Sequence, residues 1–133
     1  MGALSDIKVL DLTRVLAGPY ATMILADLGA EIIKIEQPGK GDDSRAYGPH
    51  KNGESAYFMS LNRNKESVTL NMKTPEGKDI IKELVRKVDV LVENFRPGTM
   101  ERFGLGYDVL KELNPRLIYA ASTGYGQTGP YSQ

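Results

Sequence analysis

The sequence predicts an α/β protein built on a parallel, doubly wound sheet with helices on both faces. Two observations predict it. Short apolar runs alternate along the chain with stretches whose apolar residues recur at helical spacing, the pattern of strand–helix–strand units. Several runs lead into segments rich in glycine, amide and basic side chains, as where parallel strands deliver loops to a ligand crevice at their carboxyl ends.

Val9 and Leu10 form a short buried strand ahead of Asp11. Gly18 and Pro19 follow, then residues 20–28, whose alanine, leucine and methionine favour a helix with Pro19 at its first position. Gly29 is a natural C-terminal stop. Residues 31–36 form a second strand and complete a βαβ unit. Residues 37–55 are polar and rich in Gly, Asp and Pro, and read as a long surface loop. A short apolar patch (57–61), a polar turn (62–65) and an alternating, β-branched strand (67–70) come next. Thr74 is placed to cap a helix that has Pro75 at its first position and Glu76 in its first turn. Ile80, Ile81, Leu84, Val85 and Val88 then recur at helical spacing and mark the face laid on the sheet. Residues 88–92 form a strand, 107–113 a short helix closed by Asn114 and Pro115, and 117–121 a last strand.

Composition sets limits on function. A chain of 133 residues, 41% hydrophobic and 26% charged, is long enough for one soluble domain with a core. Lys plus Arg and Asp plus Glu each number 17, and a net charge of zero argues against nucleic acid or an anionic membrane as the main partner. There is no cysteine, hence no disulfide, thiolate nucleophile or Cys-based metal site, a pattern that fits a reducing, cytoplasmic setting. His50 stands alone, too little for a His-metal cluster or a Ser–His dyad, so no metal is expected. The longest apolar region, residues 15–35, is broken by Pro19, Asp27, Glu31 and Lys34 and does not read as a membrane span. The N-terminus does not read as a secretory signal.

Four segments carry candidate chemistry. Residues 13–19 join the first strand to the first helix. Their amides could meet a phosphate or an adenine edge, or they could be a tight βα turn; they match neither GxGxxG nor a P-loop. Lys73, just before a capped helix, could pair with a phosphate or simply be solvated. Residues 92–107 hold Asn94, Phe95, Arg96 and Arg102 among the glycines Gly98, Gly104 and Gly106. An amide, an aromatic and two guanidinium groups are materials for holding an anionic, ring-bearing ligand such as a nucleotide, although a phenylalanine after a buried strand also suits a core. Residues 124–131 form a glycine loop that could let backbone approach a ligand, or serve as a flexible turn. Segments 13–19, 93–106 and 122–130 are expected to converge on one crevice. The acids Asp42 and Asp43 read as loop solvation, and no carboxylate pair, His–carboxylate pair or Ser–base pair stands out.

Seven blocks share a further property. VLDLTRVLAGP (9–19), DLGAEIIKIE (27–36), NRNK (62–65), LNMKTPEG (70–77), VENFRPG (92–98), LGY (105–107) and GYGQTGPY (124–131) resemble, in order, class III coenzyme A transferases. This is the CaiB/BaiF-like family, which includes formyl-CoA and succinyl-CoA-dependent transferases. The resemblance spans essentially the whole chain.

The resemblance implies a Rossmann-like, mostly parallel large domain that binds coenzyme A. Residues 1–133 would be its N-terminal part, the sheet incomplete, with the rest of the large domain and the small domain absent. It implies transfer of coenzyme A from an acyl-CoA to a free carboxylic acid through an aspartyl-CoA intermediate, in an interlocked homodimer. It places Val15, Leu16 and Ala17 near the adenine end, and Leu70, Asn71, Met72, Lys73, Asn94, Phe95 and Arg102 along the coenzyme A site. No residue matches the nucleophilic aspartate, which is expected beyond Gln133, so the chain alone is expected to be inactive. Two positions depart from the pattern: Gln37 stands where some relatives have a basic residue, and Leu16 replaces a polar residue of some formyl-CoA transferases. Alpha-methylacyl-CoA racemases share the fold and many motifs, but Asn94 within ENFRPG leans towards transfer. An inert coenzyme A-binding module, or a fragment unable to fold alone, are the other readings.

Overall fold

The computed structural model describes residues 2–132. In chain order the elements are β1 (Lys8–Asp11), α1 (Ala17–Asp27), β2 (Glu31–Glu36), a 3-10 turn (Asp43–Ala46), β3 (His50–Lys51), β4 (Glu54–Ser55), α2 (Ala56–Asn62) and β5 (Lys65–Thr69). There follow α3 (Pro75–Val85), β6 (Val90–Glu93), α4 (Thr99–Arg102), α5 (Tyr107–Leu113) and β7 (Ile118–Ala121).

Five strands form one parallel sheet in the order β5-β2-β1-β6-β7, and β3 pairs with β4 in a small antiparallel hairpin. The chain builds outward on one side of β1, through β2 to β5, and then crosses to the other side for β6 and β7. The direction therefore reverses between β1 and β6, and such a switch point opens a crevice beyond the strand ends. Asp11 is in register with Lys34 on β2 and with Val92 on β6.

Helices cover both faces. Ile81 and Val85 of α3, Met100 of α4 and Leu110 of α5 pack with Leu10 and Leu91 of the sheet and with Leu12 just after β1. On the opposite face Ala26 of α1 packs with Val9, Ile32 and Val92. Along that α1 face the strands change character: Val9 and Ile32 are followed, two and four residues on, by Asp11, Lys34 and Glu36, all buried. Alternation of side chains along a strand keeps these charges on one face.

Several boundaries differ from the sequence expectation for physical reasons. α1 begins at Ala17, because Pro19 is tolerated throughout a first turn whose N–H groups lack intrahelical partners. Residues 37–55 are not a featureless loop but hold the 3-10 turn and the β3–β4 hairpin. The apolar patch at 57–61 is helix α2, capped by Ser55 Oγ, which accepts from Phe58 N at 3.1 Å. α4 is a single turn following Gly98, whose φ of 77° suits glycine, and one turn is too short to show periodicity. Thr74 caps α3 as expected, accepting from Gly77 N at 3.1 Å. Ile80, counted among the inward residues of that helix, is exposed.

Candidate functional site

At the carboxyl end of β1, side chains from four places hold five consecutive backbone groups. Asp11 Oδ1 accepts from Thr13 N at 2.9 Å, and Lys34 Nζ donates to Thr13 O at 2.8 Å. Asn94 Oδ1 accepts from Arg14 N and Asn94 Nδ2 donates to Arg14 O, each at 2.8 Å. Asp42 Oδ1 accepts from Val15 N at 3.1 Å. The bend so held is strained: Val15 has a φ of 69°, a left-handed conformation that costs a β-branched residue roughly 1–2 kcal/mol. Gly18 completes the turn, since a methyl there would overlap the Thr13 side chain. Leu16 caps α1 without a side-chain acceptor, so no capping side chain occupies the first-turn amides of the helix.

Three adjoining depressions lie around this bend. One, of about 570 Å³, is lined by Val15, Leu16, Ala17, Asn94 and Arg96. A second, of about 360 Å³, is walled by Leu70, Asn71, Met72, Lys73 and Gln37. A third, of about 570 Å³, runs between Asn94, Arg102 and the glycine loop at Gly124 to Gly126. Phe95 lines all three. Segment 93–106 meets segment 13–19 in the first depression and segment 122–130 in the third, so the single crevice expected from the sequence is instead a row of depressions adjoining at Phe95, with residues 70–73 on the second. All ten residues expected along the site border one or more of these depressions. Phe95 also packs against the core, so the two readings of that ring are compatible.

Two side chains are less free than their chemistry suggests. Both polar atoms of the Asn94 amide are engaged with Arg14, leaving one N–H and one lone pair for anything else. Arg14 itself is paired with Asp43. Arg102 donates to Thr99 Oγ1 at 2.8 Å. That contact is within α4 and leaves most of its guanidinium donors open to a phosphate.

Behind the bend lies a charged network that the sequence reading missed. Asp42 is buried, not loop solvation. Lys34 Nζ sits 2.9 Å from Asp42 Oδ2 as an ionic contact, and Ser44 N and Oγ donate to Asp42 Oδ1. The side chain of Lys65, expected in a polar turn, is buried too. Its Nζ reaches Asp11 Oδ2 at 3.1 Å, Pro19 O at 2.9 Å and Asn62 Oδ1 at 3.0 Å. Glu36 accepts two bonds from Arg45, one from Ser67 Oγ and one from Asp42 N. The available signal was parity: Lys34 and Glu36 share the inward phase of Ile32 within one strand.

Burial works against ionisation of Glu36, but the bonds from Arg45, Ser67 and the Asp42 amide prevail and hold its pKa down to about 2. Burial likewise opposes the charge on Asp42, and Lys34 with Ser44 outweighs it, so its carboxyl lies below the ordinary aspartate range. Burial pulls Lys65 below the usual lysine value, against the attraction of Asp11. Glu93, at the end of β6, is pushed upward by burial, with Phe95 N as its counterweight at 2.7 Å.

A family profile described as CoA-transferase family III matches residues 4–133.

The chain belongs to CoA-transferase family III.

This family III chain is 58% identical over 131 residues to human succinyl-CoA:glutarate CoA-transferase, covering 98% of itself and 30% of that protein. It is 57% identical over 129 residues to acetyl-CoA:oxalate CoA-transferase of Acetobacter aceti, covering 97% of itself and 33% of that protein. Among solved structures, a CaiB/BaiF family protein from Brucella suis superposes with a TM-score of 0.93 at 45% identity, over 98% of this chain and 36% of that one. The family III chain thus spans about a third of the length of the relatives it matches. The expected CaiB/BaiF fold is borne out.

Proposed function

We propose that this chain is the N-terminal part of the large domain of a CoA-transferase, and that it cradles coenzyme A while the group is moved from an acyl-CoA donor to a free carboxylic acid. The observation that carries the reading is the meeting of the 15–17, 70–73 and 94–102 segments at Phe95, beyond the switch point of the sheet. The two relatives described above carry CoA-transferase names, which favours transfer over racemisation.

In this reading Val15, Leu16 and Ala17 flank the adenine end. Lys73 and Arg102 supply cations for phosphate oxygens, and Phe95 offers an apolar face to the bound molecule. Asn94 acts chiefly by holding the Arg14 backbone. The reaction runs through an aspartate outside these residues. Its carboxylate attacks the donor thioester, giving a mixed anhydride and free thiolate, and the thiolate then returns to make the aspartyl thioester and release the donor acid. The same two steps in reverse, with the acceptor acid, form the new acyl-CoA. The assembled enzyme is an interlocked homodimer.

The test is chromatographic. Purified protein is incubated with succinyl-CoA or acetyl-CoA and a panel of mono- and dicarboxylic acids, and new acyl-CoA is measured alongside calorimetric binding of coenzyme A. The 133-residue polypeptide is expected to bind coenzyme A without turnover. Failure of the protein to bind coenzyme A would overturn the reading, and turnover by the isolated 133-residue polypeptide would overturn the placing of the nucleophile elsewhere.

A further inference from the structure

We propose that Asp42 and Lys34 are positioning residues for the coenzyme A cleft, a buried ion pair that holds residues 13–17 in the bend the ligand needs. The inference rests on the coenzyme A reading of that cleft.

The pair is built to act on the loop and not on a ligand. Both side chains are 1% exposed, and Asp42 only borders the second depression from below its surface. Lys34 Nζ donates to Thr13 O, and Asp42 Oδ1 accepts from Val15 N as well as from Ser44 N and Oγ, which tie the carboxylate to its own turn. Between these two anchors lies Arg14, held from the other side of the switch point by Asn94. One grip thus comes from β2 and the turn after it, the other from the end of β6.

Val15 explains why so firm a grip is present. A valine does not stay at a φ of 69° by preference, and it remains there only where surrounding contacts over-determine it. The Asp42 carboxylate supplies the contact on its N–H. Released, Val15 is free to return to negative φ, which swings the backbone of Leu16 and Ala17 and re-aims the start of α1. Those residues form the wall of one depression. Neither member of the pair lines that depression, yet the Asp42 bond to Val15 N sets the shape of its wall.

The decisive variant replaces the pair with apolar residues of similar size, Lys34→Met with Asp42→Leu. A buried ion pair exchanged whole for apolar packing is often tolerated in stability, but no acceptor remains for Val15 N. A second double variant, Lys34→Met with Asp42→Asn, also removes both charges but keeps a carbonyl acceptor. Coenzyme A affinity is measured by calorimetry, and amide exchange of residues 13–17 is followed without ligand. The apolar pair is expected to weaken coenzyme A binding about tenfold or more, the equivalent of one lost hydrogen bond in the loop, and to expose the Val15 amide to exchange. The Asn variant is expected to bind within about threefold of the parent. Asp27→Ala, which removes a surface pair between the end of α1 and Arg63, is expected to change neither readout.

Wild-type affinity and wild-type exchange in the apolar double variant overturn the proposal, as does equal weakening in the two double variants. Should neither double variant fold, the single Asp42→Asn decides by the same exchange measurement, with wild-type protection required at Val15. A parent protein that does not bind coenzyme A sinks the coenzyme A reading itself. A parent that binds, with an apolar variant that binds equally, sinks this inference alone.

Discussion

Asn94 and the backbone of Arg14 close a two-bond ring across the switch point of the sheet, with Asn94 Oδ1 and Nδ2 each 2.8 Å from their partners. An amide is the side chain that presents one donor and one acceptor at this spacing. Asn94→Asp turns the donor into a second acceptor facing Arg14 O. The expected loss is about 1–3 kcal/mol of stability, together with weaker coenzyme A binding. Urea unfolding and calorimetry check it, and an Asn94→Asp variant as stable as the parent would remove the ring from the account.

Val15 stores strain that a different residue would relieve. Asn accepts left-handed backbone more readily than a β-branched residue does. Val15→Asn is expected to stabilise the chain by about 0.5–1 kcal/mol. It is also expected to reduce coenzyme A affinity, because an apolar side chain leaves the wall of the depression. Thermal melts and binding should therefore move in opposite directions.

Glu36 makes stability depend on pH in a defined window. Its pKa is about 2 in the folded chain against an ordinary value of 4.5. A depressed carboxyl contributes stability that is fully present above 4.5 and is lost as pH falls towards 2. The contribution is on the order of 3 kcal/mol. Asp42, shifted in the same direction, adds to the loss. Urea midpoints between pH 6 and pH 2.5 (about the span of this titration) should fall steeply in the parent and less steeply in Glu36→Gln. Parallel curves would refute the assignment.

The outer edge of β7 has no neighbour among the described residues, and Ile118 on it is 62% exposed. A bare apolar edge pairs with whatever strand it meets. The 133-residue polypeptide is expected to self-associate on purification, and Ile118→Lys to suppress that. Sedimentation of the two proteins at matched concentration provides the comparison.

Much of the fold was legible because its signals are local. Thr74, Pro75 and Glu76 mark the start of α3 without reference to anything distant, and the phase of Glu31–Glu36 marks β2. The candidate site was legible as a set of segments, since glycine, arginine and amide side chains after apolar runs advertise a crevice. The division of labour inside it was not. Asp42 resembles any loop acid until Lys34 and Val15 are placed beside it. Asn94 resembles a ligand donor until its partner, eighty positions earlier, is known. Long-range partners decide whether a polar residue faces the ligand or the scaffold, and local composition does not record them.

The order of strands also dictates a timetable. β1 leaves the ribosome well before β6, yet its register with β6 joins Val9 to Val90. At about 5–20 residues per second, synthesis takes roughly 4–16 s to cover that interval. Until then one flank of the innermost strand is bare, and the Arg14 bend lacks the amide that secures it. A nascent chain paused in this interval presents an unsatisfied strand edge, the kind of surface through which incompletely folded chains associate.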